Sequence, residues 1–144
     1  MERAIWELDA QASLDVPEFS GAMMPFDKYR EENFDGEGFD PDGVVLAFDG
    51  DRLVGFCGTK VEAGEAAGES PGRIGHTWFL GVARSHRRRG IAAALKVLTV
   101  RWAGSRGLSR LTTNNNLENE GIIGVNERLG YVVTSNAQYV RKQL

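Results

Sequence analysis

Apolar residues recur along this chain in two distinct periods. Ile5, Leu8 and Ala12 fall at helical spacing, and Pro17 then interrupts the pattern, so residues 2–14 are predicted to form a first helix. Residues 15–43 hold Pro17, Pro25 and Pro41 among glycines and acidic side chains, which predicts a loop broken by a short helix over 26–33. The runs 44–48 and 52–61 have strand character and flank Asp49-Gly50-Asp51, a strong local hairpin signal, so they are predicted to pair antiparallel. Residues 62–72 are mostly Gly, Ala, Glu and Ser with little to bury and read as an exposed loop, after which 76–83 resumes a strand.

The clearest helix covers 90–103, where Ile91, Ala94, Leu95, Leu98 and Trp102 form one stripe and Lys96 and Arg101 lie off it. Gly104 and Gly107 mark its end. A short strand over 108–113 and a helix over 120–129 follow, the helix closed by Gly130 at the usual place for a left-handed cap. Strands over 131–134 and 138–142 complete the chain, and no internal repeat is visible. The alternation predicts an α/β (α+β) fold in a single domain spanning 1–144.

The length of 144 residues suits one domain, which typically buries roughly 68 to 70% of its extended surface. An apolar fraction of 42% and a charged fraction of 26% exclude a fibrous or wholly disordered chain. A net charge of −3 gives no general attraction to nucleic acid or anionic membrane, so any anion site must be local. Cys57 is the single cysteine, which excludes an intrachain disulfide, and its apolar strand setting makes it a core residue. No apolar run approaches the roughly 20 residues of a membrane helix and no leader pattern opens the chain, so a cytoplasmic protein is expected.

Chemistry concentrates in one segment. The strand His76-Thr-Trp-Phe-Leu-Gly-Val82 runs into Ala83-Arg-Ser-His-Arg-Arg-Arg-Gly-Ile-Ala92, a polar loop that turns directly into a helix. Backbone N–H groups converge there without intrahelical partners, and the helix dipole favours an anion, so a phosphate fits. Gly90 and Ala92 keep the backbone approachable, and Arg87, Arg88 and Arg89 add cationic donors. Neither a nucleotide-triphosphate loop nor a dinucleotide glycine fingerprint is present.

The spacing Arg87, Gly90, Ala92 after a strand ending Leu80-Gly81-Val82 resembles the GNAT superfamily of acyl-CoA-dependent N-acyltransferases. The later block from Thr112 through Asn114, Asn119 and Asn126 to Leu129-Gly130-Tyr131 is similar to the T-x-N, N and N-x-x-L-G-F/Y pattern of a subgroup containing mycothiol-synthase-like proteins. The resemblance runs from about Val44 to the carboxyl terminus and implies a mixed, mostly antiparallel central sheet flanked by helices. It implies acetyl-CoA as the acyl donor. The Leu80, Gly81 and Val82 backbone would pair with the pantetheine amides, and the segment Arg87, Arg88, Arg89, Gly90, Ile91 and Ala92 would hold the pyrophosphate. Asn114 and Asn119 would join the same cofactor site. Ile123 and Asn126 fall within about 40° of Asn119 on one helical face, which predicts a ligand-facing side, while Ile122, Val125 and Leu129 predict a core-facing stripe. Gly121 and Gly124 weaken that helix, which close approach of the cofactor or a neighbouring backbone would explain.

The implied reaction is attack of a neutral amine on the thioester, with backbone N–H groups near Val82 polarising the carbonyl. Where many relatives carry a tyrosine as acid, this chain has Asn126, which can donate a hydrogen bond but cannot act as an acid. The favoured reading is that Asn126 contacts the cofactor and alone stabilises the leaving thiolate; Tyr131 or Tyr139 as the acid, or a domain that binds cofactor without turnover, are the others. Glu62 and His76 are the candidate bases, each with an ordinary surface or strand role as its alternative. The acceptor is expected to be a small-molecule or protein amine; nucleic acid, membrane and metal are not expected. The usual strand before the first helix is not seen, which leaves 44–48 as a sheet edge. A homodimer, one half of a tandem acyltransferase, and a start further upstream all follow from that.

Overall fold

The computed structural model describes residues 1–15, 21–64, 72–115, 119–135 and 139–143. Two helices come first: α1 (Glu2–Ser13), which buries Ile5 and Leu8 at the spacing that predicted it, and α2 (Phe26–Asn33). The hairpin β1 (Val44–Asp49) and β2 (Arg52–Gly64) turns through Gly50, whose φ of 57° is the left-handed conformation that a tight Asp-Gly turn demands. β3 (Gly72–Val82) pairs antiparallel with β2 along its whole length. The remaining elements are α3 (Ile91–Ser105), β4 (Arg110–Asn114), α4 (Glu120–Arg128), β5 (Val132–Ser135) and β6 (Tyr139–Gln143).

The six strands form one sheet in the order β1-β2-β3-β4-β6-β5, and every pair is antiparallel except β3 with β4. This is the mixed, mostly antiparallel sheet the sequence implied, with β1 at one edge. α1 and α2 cover one face of β2 and β3, where Tyr29, Phe34, Phe56, Trp78 and Phe79 interlock. Phe56 and Phe79 stack at 4.7 Å, and burying a side chain of this size contributes roughly 1.5 to 3 kcal/mol. α3 covers the opposite face through Leu95 and Ala103, over Cys57 and Leu111.

Two expectations are corrected. The loop expected over 62–72 begins later, because β2 continues to Gly64 and pairs there with Gly72; residues 65–71 lie outside the described residues. On α3 the buried face carries Leu95, Lys96, Thr99 and Ala103, whereas Ala94 and Leu98 are exposed, Leu98 by 47%. The sheet decides which side of α3 is covered, and that side is rotated away from the most apolar stripe.

Candidate functional site

Two features of β3 shape the site. Thr59 pairs with Thr77 and Gly58 with Phe79, so Trp78 is an extra residue, a bulge. Side-chain parity changes across the bulge: Trp78 and Phe79 both pack on the α1 side, while Leu80 and Val82 pack with Leu95 on the α3 side. β3 also parts from its parallel neighbour. Pairing with β4 runs from Ile74↔Arg110 to Thr77↔Thr113 and stops, although β3 continues for five more residues to Val82. That edge of β3 beyond Thr77 therefore faces a cleft instead of a strand.

The cleft has a volume of about 610 Å³. One wall is β3 from Thr77 to Val82, another is the start of α3, and a third is α4 with the end of β4. Of the residues assigned to cofactor contact from sequence, Leu80, Gly81, Val82, Arg87, Arg88, Gly90, Ile91, Ala92, Asn114 and Asn119 all line it. Arg89 does not; its charge acts on Asp49 at the hairpin tip.

At the mouth of α3 the backbone is arranged for an anion. Gly90 is the N-cap with φ 80° and Arg88 is left-handed at φ 61°, so the chain coils tightly before the helix opens. A non-glycine residue at that φ stores about 1 to 2 kcal/mol of strain, a kind of strain that clusters at binding loops. No side chain caps α3 and its first turn holds no carboxylate, so the leading N–H groups retain their donor capacity. A Cβ at Gly90 would meet nothing within 4 Å, which leaves the space above it open.

The loop itself is tied down on both sides. Arg87 donates through Nε to the Val82 carbonyl at 3.0 Å and pairs through Nη1 with Asp15 at 2.6 Å. Arg84 pairs with the same carboxylate, and both guanidinium groups hold Asp15 below the usual carboxylate range. His86 faces the cleft, with Nε2 3.0 Å from Asp49 Oδ2 and Nδ1 2.8 Å from Ser85 Oγ. His86 was not singled out from sequence; its position just before the arginine run was the available signal.

α4 corrects the helical-face reading. The cleft is lined by Asn119, Gly121, Ile122, Val125 and Arg128, while Asn126 is 0% exposed and absent from the wall. Asn119 is the N-cap, its side chain folded back to accept from the Ile122 N–H at 3.4 Å, so counting 100° per residue from it misplaces the face. Ile122 and Val125, expected to face the core, line the cleft instead. Neither Gly121 nor Gly124 is held by close packing, since a Cβ at Gly121 meets only Asn119 Oδ1 at 3.9 Å and one at Gly124 meets nothing.

Glu62 and His76 lie on the paired part of the sheet, outside the cleft wall. His76 Nδ1 is 2.9 Å from Thr112 Oγ1, and burial pushes its imidazole below its usual pKa, opposed by the Glu62 charge. Glu62 is exposed and borders a separate depression with Glu37, Asp40 and Arg73. The Tyr139 side chain and Asn116 fall outside what is described. Among the described residues no helix is long and apolar enough to cross a membrane.

A bulged strand, splayed from its parallel neighbour, leads to a glycine-capped helix with an open N-terminus. Residues 8–131 match the Acetyltransferase (GNAT) family, and the chain belongs to that family. It is 35% identical over 94 residues to the mycothiol acetyltransferase of Streptomyces scabiei, covering 65% of this chain and 28% of that protein. Against the mycothiol acetyltransferase of Acidothermus cellulolyticus it is 34% identical over 133 residues, covering 86% of this chain. The matched stretch spans 28% and 39% of those two relatives, well under half of each. Among solved structures, a chain of the NatC complex bound to Gag peptide and CoA superimposes with a TM-score of 0.77 at 16% identity, covering 99% of this chain and 90% of that one.

Proposed function

We propose that this protein is an N-acetyltransferase that moves an acetyl group from acetyl-CoA to a primary amine by direct attack on the thioester. The observation that carries this reading is the end of β3–β4 pairing at Thr77 and Thr113. Past that point the freed β3 edge offers backbone donors and acceptors to an extended amide-bearing chain, the geometry of an added strand. The edge leads to the open N-terminus of α3, where a pyrophosphate would be held by N–H groups with Arg88 beside it. The family match and the CoA-bound neighbour support the same donor.

In this reading Leu80, Gly81 and Val82 orient the pantetheine arm, and Asn114 and Asn119 close the wall opposite. Catalysis is chiefly positioning, with strand N–H groups polarising the thioester carbonyl. The amine nitrogen forms its bond to carbon as the carbon–sulfur bond breaks; sulfur leaves with the electron pair and nitrogen loses a proton. His76, whose pKa burial lowers, is preferred as base over the exposed Glu62, and because both lie outside the cleft wall either would act through water. The acceptor class is an amine on a small molecule or a peptide, as the names of the mycothiol relatives and the peptide-bound neighbour support. The single domain over 1–144 is part of the proposal. A place as one half of a tandem acyltransferase is a second reading, favoured by the short share of the relatives that this chain matches.

Release of free CoA thiol from acetyl-CoA across a panel of small amines and peptides tests the reading. Amine-dependent release is expected; CoA binding without release for any amine would favour a non-catalytic acyl-CoA-binding role.

A further inference from the structure

Lys96 is 1% exposed, and its ammonium nitrogen has no hydrogen-bond partner and no carboxylate partner among the described residues. A charge so placed is costly unless something answers it. The centroid of the Tyr131 ring lies 4.8 Å from Nζ. Tyr131 in turn donates its backbone N–H to the Asn126 carbonyl at 3.0 Å. The Tyr131 hydroxyl and both side-chain amide atoms of Asn126 are likewise buried without partners. Native interiors satisfy almost all such atoms, so Lys96 Nζ, the Tyr131 hydroxyl and the two Asn126 amide atoms hold unused hydrogen-bonding capacity among the described residues.

The group lies behind the end of the cleft where the strands part. Val125, next to Asn126, lines the cleft, as do Thr77 and Thr113, the last paired residues of β3 and β4. Lys96 is six residues into the helix from Gly90, about 9 Å along its axis, on the side facing the sheet. The titratable groups around Lys96 are Cys57 on β2, His76 on β3 and Tyr131 after α4, and none of them supplies a carboxylate. An acyl donor whose pyrophosphate sits at Gly90 and whose arm follows Val82 and Leu80 would bring its sulfur to this end of the cleft.

We propose that Lys96 supplies the positive charge that stabilises the departing thiolate. Asn126 cannot give up a proton, so a buried charge takes the place of an acid: sulfur leaves as thiolate, and the proton lost by nitrogen passes to the base proposed above. Lys96 is thus a positioning residue, and the inference rests on the acyl-CoA reading above. It also explains why a lysine occupies a position that packing alone would give to an aliphatic side chain. Burial alone pushes the Lys96 ammonium below its ordinary pKa of 10.5, and an anion arriving beside it favours the charged form.

The test needs no acceptor amine. The ionisation of the CoA thiol in the binary complex is followed by ultraviolet thiolate absorbance against pH, with the spectrum of CoA-free protein subtracted. The bound thiol is expected to ionise at lower pH than free CoA, and Lys96→Met is expected to raise its midpoint by about one pH unit or more. Lys96→Arg, which keeps the charge, should retain most of the lowering, and Lys96→Gln should behave as Lys96→Met, which keeps the test open if one variant fails to fold. Removing a lone buried charge should also raise the melting temperature of the CoA-free Lys96→Met protein. A bound thiol that ionises as free CoA does, or a midpoint that does not move in Lys96→Met and Lys96→Gln, overturns the proposal while leaving the acetyl-CoA reading intact. Failure of the unsubstituted protein to bind CoA at all overturns both.

Discussion

The Arg87 guanidinium spans two elements, pairing with Asp15 at 2.6 Å while its Nε donates to the Val82 carbonyl at 3.0 Å. The residue that sequence alone assigns to phosphate contact is therefore also the strut that ties the loop to the end of α1 and to β3. Asp15 is held below its usual pKa of 3.8, so its pairing is complete above that value and is lost as pH falls through the lowered folded value. Asp15→Asn should lower the melting temperature at neutral pH and low salt. The difference from the unsubstituted protein should shrink in high salt and in acid, because this carboxylate is exposed to solvent screening. A difference that does not respond to salt would contradict an ion-pair origin.

Gly58 faces Trp78 so closely that a Cβ there would lie 2.2 Å from the indole ring. Gly58→Ala must push Trp78 out of its place against Tyr29, Phe34 and Phe56, and overpacking of this kind costs about 1 to 3 kcal/mol. Because Trp78 also lines the cleft, ligand affinity should fall together with stability. Chemical denaturation of Gly58→Ala checks the first effect and CoA titration the second.

His76 is kept neutral by burial, with its folded pKa below the usual 6.5. Protonation therefore favours the unfolded chain: the contribution is intact above about 6.5 and is lost as pH falls from there through the folded value. His76→Gln should flatten the pH dependence of melting temperature in that window. If His76 is the base, activity should rise with pH through the same lowered value, and the variant should lose that limb. A variant with an unchanged pH–rate profile would move the base elsewhere.

Asn119 combines a structural task with a proposed binding one, capping α4 while lining the cleft. Asn119→Ala should cost about 1 kcal/mol through the lost cap. Asn119→Ser retains a capping oxygen, so it should recover most of the stability but not the CoA affinity. Equal CoA affinity in Asn119→Ser and the unsubstituted protein would reduce Asn119 to a cap.

The order of elements was legible because each has a local cause: the period of Ile5 and Leu8, the Asp-Gly turn at residues 49 and 50, the cap at Gly130. The cleft wall was legible for a related reason, since a strand, a loop and a helix N-terminus are contiguous in the chain. What failed depends on tertiary placement. The bulge at Trp78 cannot be read from its neighbours, because it arises from register against β2. Asn119 stands outside the helix whose face it was used to define. Lys96 lies off the apolar stripe of its helix, and only the packing of α3 on the sheet shows it buried.

The central claim is that the cleft between β3, α3 and α4 holds an acyl-CoA. The measurement that tests it most directly is the melting temperature of CoA-free protein with and without saturating acetyl-CoA. Ligand at about 100 times its dissociation constant stabilises by about 2.7 kcal/mol, and each kcal/mol moves a domain of this size by about 2 to 4 °C. The account predicts a rise of several degrees that Gly90→Glu abolishes, since a carboxylate at that open N-cap would stand where the pyrophosphate must lie. No shift at millimolar acetyl-CoA, or a shift that survives Gly90→Glu unchanged, would contradict it.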